Sequence, residues 1–219
     1  MSETPPQTGR SLEFKIATDD WEFEQIHRLN YQTFVEEIPQ HQRNPDGRLV
    51  DKFHAENTYL ICLCGRELAG MMTMRGQRPF SLDQKLPNLD AYLPPARSIC
   101  EIRLLAVARA YRSTQVFPGL MTLLARHGIA QGYNLAIISG TVRQLKLYAH
   151  IGFVQFGPRV GTAKALYQPM YLTLERFAER MGALCGTGPG NQANTQNARV
   201  ALPRLDQAPD NRTPGHPGP

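Results

Sequence analysis

The chain has 219 residues, 42% of them hydrophobic, and a net charge of +5; that supports one folded core and excludes wholesale disorder. No stretch reaches the roughly 18 uninterrupted apolar residues of a membrane span, and the polar start Met1–Arg10 shows no secretory leader, so a cytoplasmic location is expected. The basic residues are scattered without a run of five, which speaks against nucleic acid and leaves an anionic membrane or an acidic protein as partners that the charge allows.

The first folded signal is Leu12–Ile16, whose alternation of apolar and charged residues predicts a half-buried strand. Asp19 and Glu22 have capping-box spacing, and Phe23, Ile26, Asn30 and Phe34 share one helical face up to about Glu37. A polar stretch with Pro39, Pro45 and Asp46-Gly47 then breaks the chain into loop. Thr58–Cys64 and Glu67–Arg75 are apolar runs across a short Gly-containing link, which predicts a β-hairpin. Cys62, Cys64, Cys100 and Cys185 have no CxxC spacing, so they are expected as reduced thiols and no metal site is expected.

The Pro-punctuated segment from 76 to 97 is long for a loop in a compact domain, and such loops are usually functional or mobile. Residues 98–107 form the strongest central strand. Val116–Ala130 follows as a helix, with Ser113 or Thr114 as cap and Pro118 in its first turn. A strand over 134–139, a helix over 142–151, and strands over 153–156 and 166–174 complete the order. Residues 181–219 hold six Gly and six Pro and no aromatic, so this segment is expected as a disordered tail, with 1–10 as a disordered arm and 11–180 as the domain. The pattern predicts an α/β (α+β) fold, a mixed twisted sheet of about six or seven strands with helices on both faces.

Two segments carry chemistry. Glu101–Val107 leads through Arg109-Ala110-Tyr111-Arg112 into a helix start, which aims several main-chain amides at one place and suits an anion, with Arg112 adding charge. Leu147–Phe153 is a helix ending in Gly152, with Tyr148 one turn before that end; its hydroxyl can donate a proton. His127 and His150 lie on helices as structural or exposed residues. Met71, Met72 and Met74 fit either the core or an apolar substrate pocket.

Both segments, in this order of elements, resemble the GCN5-related N-acetyltransferase (GNAT) superfamily across most of 12–174. Arg112 matches the first residue of its Arg/Gln-x-x-Gly-x-Gly/Ala phosphate loop, and Tyr148–Phe153 matches its Tyr-x-x-x-Gly-Phe segment. The spacing of Arg28, Tyr31, Phe34 and Glu36-Glu37, then Met72–Arg75 and Glu101–Val107, is similar to the branch of N-acyl amino acid synthases and acyl-homoserine-lactone synthases. That branch usually shows Glu-Ile-Ser-Arg. Here arginine comes one place earlier, so regular alternation would turn Arg103 to the opposite face and the family role does not transfer to it.

The resemblance implies an N-acyltransferase that moves a medium or long acyl chain from acyl carrier protein or acyl-CoA to a primary amine such as an amino acid. It implies no tightly bound cofactor. Glu101 would serve as base directly or through water and Tyr148 as acid toward the departing sulfur. Leu105, Ala106 and Val107 would bind the thioester arm; Arg112, Gln115, Val116 and Phe117 would hold its phosphates. Gln115 and Phe117 stand where the family has glycine, and their bulk would crowd ordinary acetyl-CoA. Arg109, Arg112, Arg126 and Lys146 are the basic residues expected to meet an acidic carrier. A conventional acetyl-CoA-dependent enzyme and a non-catalytic acyl-ligand or carrier-binding domain are the alternatives.

Overall fold

The computed structural model describes residues 11–96, 98–112, 114–162 and 165–184, with backbone alone for 181–184. The expected arm over 1–10 and the expected tail from 185 onward, Cys185 included, lie outside them. One open sheet of eight strands forms the frame, one or two more than expected. Its strands are β1 (Leu12–Ile16), β2 (Thr58–Cys64), β3 (Glu67–Arg75), β4 (Ile99–Val107), β5 (Leu135–Thr141), β6 (Val154–Gln155), β7 (Val160–Thr162) and β8 (Ala165–Thr173). Their order is β1-β2-β3-β4-β5-β8-β6, with β7 also pairing β8. All pairs are antiparallel except β4–β5, whose parallel run requires a crossover.

That crossover is α2 (Val116–Ala130), which packs with α3 (Leu145–Ile151) and α4 (Leu174–Leu184) on one face of the sheet. The helix α1 (Asp20–Tyr31) covers the other face. It starts with the expected capping box between Asp19 and Glu22 and continues into a π-helical turn over Gln32–Glu37. The helix α4 was not foreseen; it runs four residues past the expected domain boundary at 180.

Two cores follow from this layering. Leu60, Met72, Val116, Leu120 and Met170 fill the α2 face, and Ile26, Leu29, Phe34, Tyr59 and Met71 fill the α1 face. Met71 thus faces away from Met72 and Met74, as alternation along a strand demands. A third cluster lies under the segment 76–97. Phe80, Leu82, Leu86 and Leu89 pack on Ile137, Phe156 and Val160, so the long loop is a folded cover over the β5–β8–β6 side.

The strand β4 carries the irregularity that matters most. Met71 pairs with Ala106 and Thr73 with Arg103, so β4 has an extra residue between these pairs. Leu104 absorbs it with φ +54°, a left-handed conformation that costs a non-glycine residue energy and commonly marks a functional strand. Arg103 reaches Asp51 and lies over the Phe53 ring, while Leu104 packs in the α1-side core. Both side chains therefore lie on the α1 face. This corrects the expectation that positions 103 and 104 face opposite ways: the parity rule holds for a regular strand, and the bulge suspends it here.

Candidate active site

The strands β4 and β5 pair only through Ile99–Leu135, Cys100–Ala136 and Glu101–Ile137. Beyond Glu101, β4 continues to Val107 against β3, and β5 continues to Thr141 against β8, but among the described residues no pair joins them. The sheet opens there into a groove. One wall is the main chain of residues 102–107, whose β5-facing donors and acceptors have no strand partner. The other wall is the end of β5.

The inner end of the split adjoins an apolar cavity of about 60 Å³ on the α2 face. Ile102, the first residue of β4 without a partner on β5, lines it with Cys100, Met74, Leu124, Ala125 and Phe177. Of the three methionines read as core or pocket, only Met74 faces this cavity; Met71 and Met72 are core. The long side chains of α2 and α4 thus leave an apolar void where a strand-side groove ends.

The structure places the expected residues along both walls. Leu105, Ala106 and Val107 form the outer half of the β4 wall. Tyr148, on α3, lies across from them with its ring against the main chain of Gly140; a Cβ there would come within 2.9 Å of the ring. Its hydroxyl approaches Thr141, and burial outweighs that contact and raises its pKa above the ordinary tyrosine value. The phenol therefore stays protonated at neutral pH, as a proton donor must.

Glu101 is fully buried. Its carboxylate accepts hydrogen bonds from the Ser81 amide at 2.8 Å, the Ser81 hydroxyl at 2.5 Å and the Leu82 amide at 3.1 Å. Arg103 Nε stands 3.9 Å away. In this arrangement Glu101 anchors the cover formed by 76–97. No local pattern announces Ser81 as its partner, because the contact spans twenty residues across a loop.

At the outer end, Arg112 donates to the Val107 carbonyl at 3.0 Å and to Glu37 at 2.7 Å, and Arg109 donates to the same carboxylate at 3.0 Å. Burial pushes Glu37 upward, but the two guanidinium contacts prevail and leave its pKa below the usual carboxylate value. The N-cap position of α2 is Gln115, which makes no side-chain cap bond, and not Thr114, one of the two expected caps. The Thr114 hydroxyl, one residue earlier, accepts from the Val116 amide at 3.3 Å, and Ser113 lies outside the described residues. Val116 is buried and Phe117 leans into the α2-side core, while Gln115 is exposed. The bulk of Phe117 is thus turned away from the expected phosphate position. Gly119, the glycine nearest this turn, makes room for the Phe14 ring of β1.

Arg126, Lys146 and His150 are exposed on α2 and α3, and His127 borders a polar cleft beside Tyr133 and Gln131. Cys62, Cys64 and Cys100 are buried free thiols. No helix among the described residues is long and apolar enough to cross a membrane.

Residues 25–174 match the sequence model of the N-acyl amino acid synthase FeeM. No curated protein matches in a sequence search. Among solved structures, the chain is similar to a CoA-dependent acyl-homoserine lactone synthase, BjaI, with SAM and isopentyl-CoA, at 22% identity and TM-score 0.65, covering 81% of this chain and 90% of that one. It is also similar to the AHL synthase LasI, at 18% identity and TM-score 0.63, over 76% and 91% of the two chains. A third similar structure is FeeM, an N-acyl amino acid synthase from uncultured soil microbes, at 15% identity and TM-score 0.62, over 78% and 95%. At these identities the structural likeness shows the fold.

Proposed function

Because the chain belongs to the FeeM N-acyl amino acid synthase family and is an acyltransferase, we propose that it moves a medium or long acyl chain from a thioester to the amine of a small molecule such as an amino acid. The observation that carries this reading is the parting of β4 and β5 after Glu101, at the edge of an apolar cavity. An extended thioester arm fits between the strands, with its polar part along the main chain of 102–107 and its apolar end toward Ile102 and Leu124.

The amine attacks the thioester carbonyl, the new C–N bond forms, and charge gathers on the carbonyl oxygen. The main-chain amides of Leu105 and Val107 face the split, that of Ala106 between them being turned to β3, and they stabilise that charge, in general the largest catalytic contribution in acyl transfer. When the C–S bond breaks, the Tyr148 hydroxyl gives its proton to sulfur and regains one from water. The amine attacks in its neutral form, and the proton released after attack passes to water. Glu101 acts by holding Ser81 and Leu82, and so the cover, in place.

Arg112, with the main chain at Gln115, Val116 and Phe117, holds the donor's phosphate. Both acyl-CoA and acyl carrier protein present a phosphate to that place. The exposed Arg109, Arg112, Arg126 and Lys146 favour an acidic carrier, whose encounter rate complementary charge would raise.

The test is incubation of the purified protein with acetyl-CoA, a long-chain acyl-CoA or an acylated carrier protein, together with pooled amino acids, followed by mass spectrometry. Long-chain N-acyl products are expected. Preference for acetyl-CoA would remove the long-chain reading, and tight thioester binding without any acylated amine would leave a binding domain.

A further inference from the structure

On the α1 face, two separate covers meet above the open part of the sheet. The first is α1 with the segment 38–57, seated on β2–β4 through Ile26, Leu29 and Phe34. The second is 76–97, seated on the β5–β8–β6 side. Their seam runs above the split between β4 and β5, where an acceptor must reach the thioester.

Charged groups concentrate at that seam. Arg103 donates from both terminal nitrogens to Asp51, at 2.8 and 2.9 Å. Glu101 is held by Ser81 and Leu82. Lys52, from the first cover, bonds Gln84 of the second. Lys85 follows Gln84, on the turn that Glu101 anchors, and its ammonium lies 5.1 Å above the Tyr167 ring. Tyr167 pairs with Thr141, the last residue of β5 and the one that the Tyr148 hydroxyl approaches. Lys85 thus reaches over the Tyr148 side of the groove, with Arg103 on the other.

Among the described residues, Lys85 has no hydrogen-bond or ion-pair partner, while Arg103, Glu101 and Lys52 each have theirs. Although Lys85 as a whole is exposed, its ammonium end is crowded; burial lowers its pKa, Glu101 opposes this, and Arg103 and Lys52 add to it. An anion arriving at the seam would give this ammonium the partner that it lacks among the described residues.

We propose that Lys85 receives the carboxylate of the amine acceptor and so sets the preference for an amino acid over a plain amine. The inference rests on the N-acyltransferase reading. A lysine suits the task because its ammonium offers three donors and a compact charge at a mouth that the carboxylate enters from solvent. Glu101 then has a further consequence, since its grip on Ser81 and Leu82 fixes the turn from which Lys85 projects.

The test compares the best amino-acid acceptor with its methyl ester and its decarboxylated amine, using the full chain and the best thioester donor. Wild-type kcat/KM is expected to fall about 10- to 100-fold when the carboxylate is removed, the range for a hydrogen bond between charged partners. Lys85→Met should bring the amino acid down to the level of its ester, mainly through KM, and leave ester turnover unchanged; Lys85→Arg should keep most of the preference. Equal use of acid and ester by the wild type, an undiminished preference in Lys85→Met, or an equal loss on both acceptors would overturn the assignment. If no amine is acylated from any donor, the transferase reading itself falls; indifference to the carboxylate overturns the Lys85 assignment alone.

Discussion

Ser81 donates both its amide and its hydroxyl to the Glu101 carboxylate, at 2.8 and 2.5 Å, and thereby ties the segment 76–97 to the central strand at the point where β4 leaves β5. Because the bond is buried, it couples the shape of the acceptor side to the strand that carries the thioester. A base must approach the amine; an anchor must only hold the loop.

The two roles separate in a pair of variants. Ser81→Ala removes one donor and leaves the Glu101 carboxylate in place. As an anchor, Glu101 loses a charge-assisted hydrogen bond of about 1.5–3 kcal/mol, so stability in urea should drop by that order and kcat/KM for the acceptor should fall with it. Glu101→Gln should do the same or more. If Ser81→Ala is silent in activity while Glu101→Gln abolishes turnover in a folded protein, Glu101 is the base.

Tyr148→Phe should lower kcat by about 10²-fold or more, the usual contribution of a positioned proton donor, with little change in donor KM or melting temperature. Burial raises the Tyr148 pKa, so the protonated, active form persists through neutral pH and the alkaline limb of kcat should lie above the ordinary tyrosine value of about 10. An alkaline limb near 8, or one unchanged in Tyr148→Phe, would assign the proton to another group.

Much of this was legible in the chain because its signals are local. The Asp19–Glu22 box, the hairpin around Gly65 and the helix over Val116–Ala130 each follow from residues within a few positions of one another. The bulge at Leu104 was not legible, since nothing in Arg-Leu-Leu marks which residue will take a positive φ. Nor were the partners of the charged groups. Glu37 meets Arg109 and Arg112 across more than seventy residues, and Asp51 meets Arg103 across fifty-two. Lys85 was missed for the same reason: its setting depends on how two covers meet.

Glu37 occupies both guanidinium groups that stand at the donor end of the groove. A donor phosphate that uses Arg112 must displace this carboxylate. Both arginines are well exposed, so the pairs are weak enough to exchange. Glu37→Gln should therefore lower the donor KM several-fold at low salt, with kcat and acceptor KM little changed, and the advantage should shrink as salt screens the arginines. A raised donor KM would show that Glu37 shapes the site instead of competing for it.

The Asp51–Arg103 pair predicts an acid limb of stability. Burial pushes the Asp51 carboxyl upward, but Arg103, Asn57 and the Phe53 amide prevail and hold its pKa below the ordinary value. The folded pKa is depressed, so the stabilisation is present above the unfolded value of about 3.9 and is lost as pH falls from there through the folded value. Asp51→Asn should cost about 3 kcal/mol at neutral pH, near the lower end for breaking a buried pair, because Glu101 still stands 3.9 Å from Arg103. Denaturation curves of the two proteins should converge below pH 4; parallel curves down to pH 3 would show that this carboxyl is not the titrating group.

The cavity beside the split gives the sharpest test of acyl-chain length. Ala125 lines it from α2, and leucine there keeps helix propensity while adding three carbons to a void of about 60 Å³. If the void takes the end of the acyl chain, Ala125→Leu should shift the donor preference toward shorter thioesters by two or three carbons, on the order of the added side chain. The same change should raise stability by up to about 1 kcal/mol, through the apolar area that the added carbons bury against Ile102 and Phe177. These outcomes separate two uses of one space. Higher stability with an unchanged chain-length profile would make the void a packing defect between α2 and α4, and the acyl chain would have to leave the groove on the α1 face.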